Sequence, residues 1–210
     1  MSERDSAQAG EGAGQTLPGV AVARSRFVAV TAALAGFAFG ARGAVNAFGE
    51  IRYWSPETPL EYTAVALLSV AMLFLGATLW ALGSFWATHD HLPGRAAKLS
   101  WFAVRVAAVA AVLVSVSNFL EDYLRLRWFG LTFVIGSIAL LLGLLCATGL
   151  RLAAPRVDRV EGILLLAISV GVVLLSFAMG VGAATLLLLA AYRAWFRDRR
   201  RPAPHAARVT

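Results

Sequence analysis

The sequence predicts an all-α fold, a polytopic bundle of six transmembrane helices with both termini in the cytoplasm. Three observations predict it. The 210 residues are 59% hydrophobic and only 15% charged, whereas a soluble domain is usually about 45–50% apolar and about 25% charged. The apolar residues fall in runs of the length, about 20 residues, that crosses a hydrocarbon core about 30 Å thick. The basic residues, all arginine except Lys98, gather at alternate ends of those runs. This composition excludes an ordinary soluble enzyme, a disulfide-stapled secreted domain and a disordered chain.

Four spans are plain, at 27–49, 61–86, 100–120 and 128–150. The next run extends from Gly162 to Ala191 without a charge. As one helix it would be about 45 Å long, well beyond one bilayer. Arginine placement arbitrates, because loops near the membrane carry excess positive charge on the cytoplasmic side. With the N-terminus inside and six spans, the inner side collects Arg4, Arg24, Arg26, Arg95, Lys98, Arg105, Arg151, Arg156 and Arg159. It also gains Arg193, Arg197, Arg199, Arg200, Arg201 and Arg208, leaving only Arg42, Arg52, Arg125 and Arg127 outside. With five spans the C-terminal arginines move outside and the bias disappears. The long run is therefore divided at Gly180-Val181-Gly182, where glycine permits a tight turn, into spans 160–179 and 182–198. The second of these relies on Arg193 and Arg197 snorkelling to the inner interface. The five-span alternative keeps one long tilted helix. Residues 1–26 and 199–210 read as disordered cytoplasmic tails, flanking a transmembrane domain over 27–198.

The aromatic residues agree with this topology, since Trp and Tyr collect at headgroup level. Tyr53, Trp54, Tyr62, Tyr123 and Trp128 fall at the outer face, and Trp80, Trp86, Trp101, Tyr192 and Trp195 at the inner one. The net charge of +7 would point to nucleic acid in a soluble protein, but here the arginines serve topology and no nucleic-acid partner is expected. The expected partner is the lipid bilayer of the cell membrane, with anionic lipid at the basic C-terminal tail. Cys146 stands alone in an apolar run and reads as a buried, inert small hydrophobe.

Helices in lipid pack closely through small residues. Ser69, Gly76 and Gly83 recur every seven residues, as do Gly162, Ser169 and Ser176, and Gly136 is followed by Gly143. Gly36 and Gly40 form a G-x-x-x-G face with two readings, packing within the chain or a homo-dimer.

The polar residues of the spans are the most informative. Arg42, Asn46 and Glu50 are four apart and share a helical face at the outer end of span one. Asn118, Glu121 and Asp122 share a face at the outer end of span three. Ionisable groups near membrane depth are functional candidates. As a site, the two carboxylates could hold a hard cation or relay a proton, and Arg42 could grip an anion. As a fastening, Arg42 pairs with Glu121 or Asp122 between helices, and Glu121 pairs with Arg125 along one. No nucleophile–base pair, zinc set or nucleotide loop is present. His89-Asp90-His91 falls short of a metal set, and Gly180-Val181-Gly182 lacks the strand of a dinucleotide fold. No histidine lies within a span to ligate haem. No catalytic activity, metal or cofactor is expected.

The stretch from Gly143 to Trp195 has a glycine-rich fourth span, then Thr148-Gly149-Leu150-Arg151, Pro155 and Gly162, and a final span closing on Tyr192 and Trp195. In this it resembles a loose group of uncharacterised six-span bacterial integral membrane proteins, mostly actinobacterial. The charged Arg156-Val157-Asp158-Arg159 loop departs from that group. The resemblance implies six spans and no particular activity. The expectation is a structural or accessory membrane component, and the alternative is a small-solute or ion transporter with an outward-facing polar vestibule.

Overall fold

Thr58-Pro59-Leu60-Glu61 starts a helix by closing its own open hydrogen bonds. The Glu61 carboxylate accepts from the N–H groups of Glu57 and Thr58 at 2.7 and 2.8 Å, and the Glu61 N–H donates to the Thr58 hydroxyl at 3.3 Å. This reciprocal capping box carries proline at the first helical position, where a missing N–H costs nothing. It also buries a carboxylate at the end of an apolar helix without leaving it unsatisfied.

The computed structural model describes residues 18–48, 56–89, 94–153, 159–173 and 179–199. They form six helices and no strand: α1 (Pro18–Phe48), α2 (Pro59–His89), α3 (Gly94–Asn118), α4 (Phe129–Ala153), α5 (Arg159–Val173) and α6 (Met179–Arg199). One π-helical turn, Phe119–Tyr123, extends α3. Each helix packs on the next, and α6 returns to pack on α1, so the six close into a ring. α1 to α4 are long and apolar enough to cross a membrane. All six helices turn large apolar side chains outward, among them Phe37, Leu73, Val109, Leu131, Ile163 and Leu188. In water such a surface would associate; in lipid it is the expected exterior of a multi-pass membrane protein.

The small-residue stripes have specific partners. Ser69, Gly76 and Gly83 all face α3. A Cβ on Gly76 would stand 2.9 Å from the Ala108 carbonyl oxygen, and Ser69 takes hydrogen bonds from α3. On the other side of α3, a Cβ on Gly143 would stand 2.8 Å from the Ala103 carbonyl oxygen. α3 thus presents a narrow alanine-rich body, with Ala103, Ala107, Ala108, Ala110 and Ala111 buried, between two grooves cut by glycine.

Several boundaries differ from expectation. α1 begins at Pro18, so residues 18–26 are helical rather than part of a tail. Gly180 and Gly182 lie inside α6, and not at the turn. Glycine costs a helix interior only about 1 kcal/mol, and an apolar setting outweighs that. The run 162–191 is nonetheless two helices, α5 and α6, packed on each other. Cys146 is exposed on the outside of the bundle, not buried. The Gly36 face is covered within the chain: a Cβ there would meet the Ala183 carbonyl oxygen and Leu187 of α6, both at 3.0 Å. α6 therefore occupies the surface considered for a homo-dimer.

Candidate functional site

The expected outer cluster is gathered only in part. Arg42 of α1 is buried, and it lies close enough to Asp122 to act on it electrostatically, as does Glu121. Glu121 leans the other way, its carboxylate covering Gly130 in the first turn of α4, where a negative charge meets the positive end of a helix dipole. Asn118 turns away from both. It donates to the Val65 carbonyl at 3.1 Å and to the Ser69 hydroxyl at 2.8 Å, while Ser115 donates to the Ser69 carbonyl at 2.6 Å. Asn46 is half-buried in α1, and Glu50 lies outside the described residues.

The reason for this dispersal is the π turn. The Leu124 N–H reaches back five residues to the Phe119 carbonyl, at 3.1 Å. The wider turn changes the angular spacing on which a shared i, i+3, i+4 face depends. The expected Glu121–Arg125 pairing along a helix also fails here. Arg125, with a left-handed φ of 60°, ends the element and donates instead to the Pro56 carbonyl at 3.3 Å and the Tyr62 hydroxyl at 3.1 Å. Tyr62 meets Tyr123 edge to face at 5.3 Å. An open groove of about 460 Å³ lies beside them, lined by Glu57, Pro59, Tyr62, Thr63, Ala66 and Tyr123.

A denser ionic centre lies at the opposite end, where sequence reading placed only topological charges. Glu161, near the start of α5, is buried between Arg151 of α4 and Arg193 of α6. Its Oε2 accepts from Arg151 Nη1 at 3.2 Å and from the Trp86 indole N–H of α2 at 3.1 Å, and its Oε1 faces Arg193 Nη2. The Arg151 guanidinium lies over the Trp86 ring, 3.4 Å from its centroid, and Arg193 lies over Phe85 at 4.5 Å. One carboxylate shared by two guanidiniums ties four helices together. Arg193, expected to snorkel to the interface, is buried instead, and Trp86 is a core residue and not an exposed interfacial one.

The same end also holds Arg105, Arg24 and Ser25. The Ser25 hydroxyl donates to the Arg193 carbonyl at 3.3 Å, bringing the beginning of α1 to the end of α6. Among the described residues, no group of three or more potential metal ligands is found. His89 closes α2, whereas Asp90, His91 and the C-terminal tail beyond Arg199 lie outside the described residues. Comparisons with protein-family models, curated proteins and solved structures yield no match to this chain.

Proposed function

We propose that the chain is a six-span protein of the cell membrane, both termini cytoplasmic, and that it serves as a non-enzymatic structural or accessory component. The observation that carries this reading is the employment of its intramembrane polar groups. Glu161 joins α4, α5, α6 and α2, and Asn118 joins α3 to α2. These groups fasten helices to one another, which is how a bundle is held rigid in lipid. The antiparallel course of α5 and α6 and the outward apolar faces of both favour an even number of crossings.

The alternative is a small-solute or ion transporter with an outward-facing polar vestibule, and the proximity of Arg42, Glu121 and Asp122 at the end opposite Glu161 favours an ion as its cargo. A flux assay separates the two. The full chain in proteoliposomes under a sodium, potassium or proton gradient is expected to leak no faster than empty vesicles. A flux that Glu121→Gln/Asp122→Asn abolishes would replace this reading with the transporter.

A further inference from the structure

Two arginines from different helices converge on Ser84, on the outward face of α2. Arg24 of α1 donates to the Ser84 carbonyl at 3.4 Å, and Arg105 of α3 donates to the Ser84 hydroxyl at 3.4 Å. The Arg105 guanidinium lies between two indoles, 4.3 Å from the ring centroids of both Trp80 and Trp101. Trp80 is exposed on the outside of the ring, and Arg24, Ser84, Trp101 and Arg105 are half-buried. No carboxylate among the described residues pairs with Arg105. Arg105 Nε and Trp101 Nε1 are buried donors without acceptors, so the Nη groups of Arg105 and Arg24 are the ones to meet a ligand.

The depth of this notch identifies its surroundings. The apolar stretch Gly94–Tyr123 has 30 residues, about 45 Å of helix across a core of about 30 Å. Arg105 stands about 16 Å from the start of α3, so its backbone is inside the hydrocarbon layer. Helical side chains point toward the N-terminus, here toward the end where Arg24, Arg151 and Arg193 gather. Its guanidinium therefore reaches the level of the lipid phosphates. A guanidinium fork matches a phosphate oxyanion bidentately, and indole belts lie at that level.

We infer that the Arg24–Arg105 notch at Ser84, walled by Trp80 and Trp101, binds the headgroup phosphate of an anionic phospholipid. This rests on the proposal that the chain spans a membrane. The chemistry would serve free phosphate equally, but Trp80 and the outward faces of α2 and α3 lie where acyl chains run, which favours the lipid.

Native mass spectrometry of the detergent-solubilised full chain tests this with equimolar phosphatidylglycerol and phosphatidylcholine. Each basic residue near the surface contributes about fivefold to binding of anionic lipid. Wild type is expected to retain phosphatidylglycerol in preference, and Arg105→Gln and Arg24→Gln each to lose about fivefold of that preference. Arg125→Gln, at the other end of the bundle, leaves it intact. Equal retention of the two lipids by wild type overturns the inference, whether or not a variant folds. Full preference in both notch variants overturns it too, as does displacement of the lipid by millimolar inorganic phosphate. An alkaline carbonate wash of native membranes separates the two claims: release of the protein refutes the membrane reading, whereas retention without lipid preference refutes only the notch.

Discussion

Arg193, near the end of α6, meets Glu161, near the start of α5. The contact closes an antiparallel hairpin whose two halves are contiguous in sequence and together appear as one uninterrupted apolar run. Glu161 also holds Arg151 and Trp86, so its removal exposes more than one broken pair. Glu161→Gln leaves two buried guanidiniums side by side. Losing one partner of a buried pair costs about 3–5 kcal/mol, and a chain of this size loses about 2–4 °C of Tm per kcal/mol. Thermal unfolding in detergent should show Tm lower by about 6–20 °C. Arg193→Gln should be milder, because Glu161 keeps Arg151 and the Trp86 indole. Equal losses would mean that the shared carboxylate is not the centre of the cluster.

Fusions read the same hairpin as topology. Ser25 touches the Arg193 backbone, so the start of α1 and the end of α6 lie at one end of the bundle. Reporters fused before residue 18 and after Arg199 are expected to report the same side of the membrane, and a reporter between α1 and α2 the other. Opposite readings from the two terminal fusions would restore the five-span arrangement.

The apolar runs and the seven-residue stripes were legible because each is a property of one segment. Ser69, Gly76 and Gly83 announce a helix-facing groove whatever fills it, and α3 fills it. The Glu161 centre was not legible, because its four members lie in four helices and are related only by the ring. One signal was present: Glu161 and Arg193 carry opposite charges at the two ends of a single apolar run, and folding that run into a hairpin brings them together. The outer cluster is gathered only in part, for a local reason. An i, i+3, i+4 face holds only for α geometry; with the π turn at Phe119–Tyr123, Asn118 bonds to α2 and Glu121 covers Gly130 of α4, while Asp122 stays within electrostatic reach of Arg42.

Asn118→Leu tests how much the α2–α3 fastening contributes. The side chain makes two interhelical hydrogen bonds, yet in membrane proteins such bonds average about 0.6 kcal/mol and reach only about 1.7. The variant should therefore lose less stability than Glu161→Gln, by the same unfolding measurement. A greater loss would place the organising centre at Asn118.

The glycine grooves make the last prediction, a ranking. At Gly143 an added Cβ would meet backbone, 2.8 Å from the Ala103 carbonyl oxygen and 3.0 Å from the Ala107 nitrogen. At Gly162 it would meet the tip of the Leu152 side chain at 2.9 Å. The distances are alike but the neighbours are not: a leucine methyl can rotate aside, while a helix backbone must move as a body. Gly143→Ala should cost about 1–3 kcal/mol, the range for overpacking a tight core, and Gly162→Ala should be nearly neutral. Should Gly162→Ala prove the more damaging in thermal unfolding, α3 and α4 do not approach as closely as the grooves require, and α4 must contact α5 more rigidly than it does here.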